Sequence, residues 1–270
     1  MNHSFTKNGT ILFQNWSSLI PPICLSPEPG SRVLDMCAAP GGKTVGLFEA
    51  MNGQGYLLSN EKDLKRIPRL RKLVSLYIPE EKQASVDIRQ EDAEKFVYKV
   101  DKNEENYVNE LFDYILVDAP CSGTGTLNFS DPLAMKHFQG ENVVEWIQRN
   151  AKRQGKLLDT AFSLLKPGGS IVYSTCTISP IENEEVVQAF LDRHENARVD
   201  SIPYPFSVSG ARTPLKYGVN WVEPFTKDER VLPASFSAGL DKYSFANKVL
   251  RILPDGLYEG FFVCKLVKEK

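Results

Sequence analysis

Two segments of the chain set a thiol on a turn directly after an apolar run. One is Asp118-Ala-Pro-Cys-Ser-Gly-Thr-Gly125, which follows Phe112-Asp-Tyr-Ile-Leu-Val117. The other is Tyr173-Ser-Thr-Cys-Thr-Ile-Ser-Pro-Ile-Glu-Asn-Glu184, which follows Ser170-Ile-Val172. A free cysteine is most often a small buried hydrophobe. On a turn it can be exposed, and a nearby cation or helix N-terminus then draws it toward the nucleophilic thiolate. Cys121 and Cys176, with Asp118 beside the first, are therefore the candidates for covalent and acid–base chemistry, and Lys43 is a candidate neighbouring cation.

A third segment, Asp35-Met-Cys-Ala-Ala-Pro-Gly-Gly-Lys-Thr44, also follows a short apolar run. Small residues and two glycines allow close backbone approach to a ligand, and the helix expected from Lys43 to Met51 offers free amides to an anion. It is not a nucleotide-hydrolase phosphate loop, since Ala38 stands where that motif requires its first glycine. Glu61 ends the next apolar run about 20 residues on, where a carboxylate can accept from both hydroxyls of a ribose. Asp92, after Ile88-Arg-Gln-Glu91, is positioned either to accept from an adenine amino group or to cap the turn starting at Ala93.

The elements that must hold these groups are short buried strands and amphipathic helices in alternation. Strands are expected at Arg32–Asp35, Gly55–Ser59, Phe112–Asp118, Ser170–Ser174 and Gly260–Val267. Between Glu141 and Leu165, Val144, Ile147, Ala151, Leu158, Ala161 and Leu165 recur at helical spacing and give one buried face, closed by Lys166-Pro-Gly-Gly169. Alternation of this kind predicts an α/β fold with a mostly parallel, doubly wound sheet, whose ligands sit at the strands' carboxyl ends. Residues 1–31 read as a lead-in and 32–270 as the main domain. Asp101–Asn109 reads as a charged loop, and about 200–241, with five prolines, as an irregular insertion.

Composition narrows the class. The chain has 270 residues, 42% hydrophobic and 24% charged, which suits one large domain. No run approaches the ~20 apolar residues of a membrane span. Five cysteines without a Cys-x-x-Cys pair, and three scattered histidines, argue against both a disulfide framework and a metal site. The expected compartment is intracellular, with nucleus or nucleolus, cytoplasm and mitochondrion undistinguished. A net charge of −2 gives no global field for a nucleic acid, so any such contact must be local. Lys62, Lys65, Arg66, Arg69 and Lys72, and also Arg149, Lys152, Arg153 and Lys156, recur at helical spacing, with Pro68 interrupting the first set.

Together, Leu34-Asp-Met-Cys-Ala-Ala-Pro-Gly-Gly-Lys-Thr44, Asp118–Gly125 and Tyr173–Thr177 with Glu182-Asn-Glu184 resemble the Sun-domain family of RNA cytosine-5 methyltransferases. The likeness runs in order from about Gly9 to Lys268, with Phe13–Ser18 resembling the family's lead-in and Gln154 also fitting. It implies a Rossmann-like class I methyltransferase fold with an antiparallel last strand, and S-adenosylmethionine as cofactor. It implies further that Cys37, Ala38, Ala39, Pro40, Gly41, Gly42 and Lys43 cradle the methionine part, that Glu61 holds the ribose and Asp92 the adenine, and that Arg66 assists. Asp118 then lies near both cofactor and base. Cys176 is the implied nucleophile toward carbon-6 of cytosine, and Cys121 the group that helps release product. The implied partner is RNA, ribosomal or transfer. Family members usually carry an RNA-binding region ahead of the catalytic part, for which there is little room here, which leaves a minimal form, a fragment, or a subunit that borrows its RNA grip from a protein partner. Competing readings are a DNA cytosine-5 methyltransferase, which uses the Pro-Cys thiol as nucleophile, a non-catalytic RNA-binding or assembly factor, and a small-molecule methyltransferase.

Overall fold

The structure is a computed structural model that describes residues 12–98, 107–108, 111–127, 142–202, 231–233, 242–252, 254 and 259–270. The 200–241 insertion, the 101–109 loop and the first eleven residues fall largely or wholly outside them. Strands β1 (Arg32–Asp35), β2 (Tyr56–Asn60) and β3 (Val86–Arg89) come first, then the short β4 (Val97–Tyr98) and β5 (Tyr107–Val108). Next come β6 (Phe112–Asp118), β7 (Leu165–Thr175), β8 (Ala197–Asp200), β9 (Val231–Pro233), β10 (Leu250–Ile252) and β11 (Phe261–Lys268). The helices are α1 (Ile20–Leu25), α2 (Gly42–Ala50), α3 (Ile67–Tyr77), α4 (Val143–Leu164) and α5 (Glu184–Leu191).

Nine strands form one sheet in the order β3-β2-β1-β6-β7-β11-β10-β9, with β8 also paired to β11. The first five run parallel, and β11 is antiparallel to β7. The mostly parallel sheet with an antiparallel last strand is thus the expected fold. The chain leaves β1 toward β2 and β3, then returns to the other side of β1 as β6. The strand order therefore reverses between β1 and β6, and a crevice opens beyond their carboxyl ends.

Period-two alternation sorts the core. Leu34, Ile115, Val117, Ile171, Tyr173, Phe262 and Cys264 face α4 and α5 with Leu158, Phe162 and Phe190. Val33, Leu116, Val172, Phe261 and Val263 face the other way, against Ile20, Leu25, Leu47, Phe48 and Leu70. Each fully buried Leu or Phe among these stabilises the fold by roughly 1.5–3 kcal/mol. The lead-in is part of this packing, since α1 buries Ile20, Cys24 and Leu25.

Two sequence expectations shift. Val144 is 58% exposed, and the buried stripe of α4 begins only at Gln154, because the first turns of the helix lie clear of the core. β7 begins at Leu165 and takes in Lys166–Gly169, which form an irregular start to the strand with a register shift opposite Phe112 and Tyr114. Gly168 there adopts φ +81°, the region glycine tolerates best.

Candidate functional site

The end of β1 turns into α2 through Met36–Gly41. Gly41 caps the helix at φ +114°, and a Cβ there would lie 3.1 Å from Leu70 and 3.2 Å from Leu73. Among the described residues no side chain caps α2, so its first amides are available to an anion. A cleft of about 230 Å³ opens beside this turn, lined by Gln14, Ser18, Ala38–Pro40, Gly42, Lys43, Asp118 and Glu259.

Lys43 spans the switch point. Its Nζ lies 2.9 Å from Asp118 Oδ2, donates to Ser18 Oγ at 3.0 Å, and sits 5.2 Å from the Phe261 ring centre. Ser174 donates to the other oxygen of Asp118 at 2.8 Å. Asp35, fully buried at the end of β1, accepts from Thr44 Oγ1 at 2.8 Å, while its Oδ1 has no partner of hydrogen-bond geometry among the described residues. Burial pushes its pKa up to about 7, with the Asp118 charge adding to that, against the Thr44 hydroxyl, Lys43 and the nearby Cys37 amide.

On the β2 side, Glu61 is 5% exposed. Its Oε1 accepts from the Asp63 amide at 2.9 Å, and Oε2 lies 3.2 Å from Arg66 Nη1. Arg66 also donates to the Ala39 carbonyl, tying the acid to the glycine-rich turn. Asp92 lies three residues past β3 and caps the turn Ala93–Lys95, accepting from the Glu94 amide at 3.3 Å and from Lys62 at 2.8 Å. Burial works slightly against its charge, but Lys62 and the Glu94 amide hold its carboxyl below the usual range. The capping reading of Asp92 is therefore present in the structure, with Lys62 as an added partner.

The two thiols meet. Cys121, beyond β6, and Cys176, beyond β7, have sulfurs 3.1 Å apart. The hydrogen bond from Cys121 holds Cys176 below the ordinary thiol range, against burial and the Asp118 charge and with help from Lys43. The same contact, with burial, pushes Cys121 far up. The one contact thus pushes the two thiols in opposite directions, Cys176 down and Cys121 up. Cys37 is pushed up by burial and by the acids around it, Asp35, Asp118 and Glu61.

The turns carrying these thiols are braced from below. Gly125 N–H donates to the Cys176 carbonyl at 3.0 Å and Gly260 N–H to the Gly125 carbonyl at 2.7 Å. A Cβ on Gly125 would lie 2.4 Å from the Gly260 oxygen and 2.8 Å from the Cys176 oxygen, so glycine is required there. Thr175 donates to Asn183 Oδ1 at 2.6 Å, and Asn183 Nδ2 to the Thr177 carbonyl at 3.0 Å. Arg251 in β10 donates to both oxygens of the buried Glu184, at 2.7 and 2.6 Å, and to the Ile178 carbonyl at 2.7 Å.

The structure thus brings Ala38–Pro40, Gly42, Lys43 and Asp118 to one cleft and Cys121 and Cys176 into contact beyond the neighbouring ends of β6 and β7, with Glu61 and Arg66 tied to the turn from the β2 side and Asp92 beyond β3. Sequence reading passed over Asp35, whose signal was its place as the last residue of β1, and Ser18. It also gave no role to Glu182 or Arg251. Nothing local marks Arg251, which reaches its partner across 67 positions. Among the described residues no cluster of His, Cys, Asp and Glu suits a metal, and no helix is long and apolar enough to cross a membrane.

This geometry has relatives. The family model described as "16S rRNA methyltransferase RsmB/F" matches residues 22–267. The chain belongs to that family. The tRNA (cytosine(49)-C(5))-methyltransferase of Pyrococcus abyssi is 31% identical over 263 residues, covering 97% of this chain and 71% of the relative. Ribosomal RNA small subunit methyltransferase F of Shewanella loihica is 39% identical over 183 residues, covering 66% of this chain and 34% of the relative. The crystal structure of a methyltransferase homolog from Pyrococcus horikoshii superposes with a TM-score of 0.64 at 27% identity, covering 99% of this chain and 71% of that one. The chain spans between a third and a half of the length of several curated relatives it matches.

Proposed function

We propose that this protein transfers the methyl group of S-adenosylmethionine to carbon-5 of cytosine in RNA, ribosomal or transfer, through a covalent adduct on Cys176. The observation that carries this reading is the 3.1 Å contact between Cys176 and Cys121, beside Lys43 and Asp118 at the strand switch point. The family's relatives, named for cytosine-C5 or small-subunit RNA methylation, support it.

The residues fit the cofactor. The uncapped start of α2 suits a carboxylate, the free Oδ1 of Asp35 an ammonium, and Glu61 a diol at the β2 end. When bound, the cofactor supplies an electrophilic methyl group. Cys176 adds to carbon-6 as thiolate, and the electron pair of the 5,6 double bond makes carbon-5 nucleophilic. Asp118, held by Lys43 and Ser174, faces the charge that develops at ring nitrogen 3 and the exocyclic amine. After carbon-5 gains its methyl group, it must lose its proton, and the C6–S bond breaks as the double bond reforms. Sulfur in the adduct is a neutral thioether. Cys121 then has no thiolate to hydrogen-bond, so it can give its proton to water, take the carbon-5 proton as thiolate, and let the C6–S electron pair return to Cys176. The base must leave any stack to be attacked at its face, so an unpaired or flipped cytosine is the substrate. RNA grip comes from exposed cations on α3 (Arg69, Lys72) and α4 (Arg149, Lys152, Lys156), or from a protein partner.

Incubation with undermethylated ribosomal and transfer RNA and labelled S-adenosylmethionine tests this reading. It predicts labelled 5-methylcytosine in wild-type digests and none with Cys176→Ala. Label on another base, or none with any RNA, overturns it.

A further inference from the structure

Glu182 lies between the two thiol turns and is fully buried. It accepts three hydrogen bonds. Oε1 takes the Ser122 amide at 2.8 Å and Gln154 Nε2 at 3.1 Å, and Oε2 takes the Ser122 hydroxyl. The same Gln154 nitrogen donates to the Pro120 carbonyl at 2.9 Å, so the residues on both sides of Cys121 are fixed through this one junction. The other turn is joined to it as well. Ser122 Oγ is 2.9 Å from Thr177 Oγ1, which is 2.7 Å from Thr124 Oγ1, which accepts from the Ile178 amide at 3.1 Å. Tyr173 OH donates to the Glu182 carbonyl at 2.5 Å and ties its backbone to β7.

The proton order along this chain follows from its acceptor end. Ser122 spends its one hydroxyl proton on Glu182, so it accepts from Thr177, which in turn accepts from Thr124. Glutamine in its place keeps the shape but puts an NH2 against Ser122 or against the amide donors. Either way a buried donor faces a donor, or the hydroxyl chain must reverse and leave the Thr124 proton without its present acceptor.

We propose that Glu182 is a positioning residue for both steps of catalysis. It holds the turn of Cys121 in register with the turn of Cys176, so that the two sulfurs stay in contact, one placed for attack and the other for release. The proposal rests on the functional reading above and adds to it a residue that touches neither cofactor nor base.

Glu182→Gln and Ser122→Ala test it, the second breaking the link to Thr177 while leaving the Ser122 amide on Glu182. The first readout is the pH profile of Cys176 alkylation by iodoacetamide, followed by mass spectrometry without any RNA. A loosened Cys121–Cys176 contact moves the profile upward, and one pH unit means roughly tenfold less thiolate at neutral pH. The second is turnover with RNA. Glu182→Gln is expected to lower kcat about 100-fold, as a 1 Å misplacement does, with S-adenosylmethionine affinity by calorimetry within twofold of wild type. A covalent protein–RNA adduct should accumulate on denaturing gels, as is expected of Cys121→Ala. If both variants keep the wild-type alkylation profile, the proposal is overturned. It is also overturned if lost activity tracks only a lower fraction of folded protein. A shifted profile in a protein whose wild type modifies no RNA leaves the positioning role standing and rejects the functional reading instead. If Glu182→Gln does not fold, Ser122→Ala decides alone through the same profile.

Discussion

Replacing Arg251 with methionine removes the cation from a carboxylate that has no access to water. Glu184 is 0% exposed and Arg251 5% at its side chain, and two hydrogen bonds of 2.7 and 2.6 Å join them. Breaking such a pair from one side leaves an uncompensated buried charge and costs about 3–5 kcal/mol. At roughly 2–4 °C per kcal/mol for a chain of this size, the melting temperature should fall by about 10 °C. The pH dependence is distinctive. Burial already raises the Glu184 carboxyl, and Arg251 opposes that rise, so removing Arg251 raises it further. A group whose folded pKa lies above its unfolded value gives stability that is complete below the unfolded pKa and lost as pH rises through the folded one. The deficit of Arg251→Met should therefore be small near pH 4.5, around the free glutamate value, and large above neutrality. Adding Glu184→Met should restore most of the loss, since a well-packed apolar pair is often neutral or better than the ion pair it replaces. Thermal and urea melts of the two singles and the double, across pH, measure this as a double-mutant cycle. A deficit under about 1 kcal/mol, one that does not change with pH, or a double variant no better than Arg251→Met would refute the reasoning.

Three further outcomes follow from named contacts. Gly125→Ala should push apart the Cys176 and Gly260 carbonyls, which a Cβ would meet at 2.8 and 2.4 Å, and lower methyl transfer by about 100-fold; activity within threefold of wild type would contradict the close packing. Asp35, with a pKa raised to about 7 by burial, should cost the apo-protein on the order of 4 kcal/mol as pH rises from about 4 to above 7, and Asp35→Asn should remove that slope in urea melts. Brief alkylation at neutral pH should label Cys176 ahead of Cys24, Cys37, Cys121 and Cys264, all of which have raised pKa values; peptide mapping that finds another cysteine labelled first counts against the thiolate assignment.

Much of the fold was legible because local signals agreed with one another. β1 and β6 begin and end where their apolar runs do, and the glycine pair after Pro40 marked the turn into α2. The periodicity that marks α4 as a helix extends its stripe to Val144, which is exposed, since periodicity records a helical face and not what covers it. The site was legible where the chemistry lies within one segment: each thiol announced itself through a turn after a strand. Their 3.1 Å contact did not, because it joins positions 55 apart through the pairing of β6 with β7. Glu184 and Arg251 are further from sequence still. An acid in a helix's first turn reads as a solvated residue, and only the placement of β10 against β11 brings the arginine to it. Asp92 shows the opposite case, where the ordinary capping role was readable from the residues that follow it.

The measurement that bears most directly on the proposed chemistry is the covalent trap. Cys121→Ala and Cys176→Ala, each incubated with S-adenosylmethionine and cellular RNA, are run on a denaturing gel, and any trapped RNA is sequenced. Attack by Cys176 with release assisted by Cys121 predicts a protein–RNA adduct in Cys121→Ala, none in Cys176→Ala, and one or a few cytosines at the cross-link. An adduct in Cys176→Ala alone would reverse the two thiols and contradict the assignment.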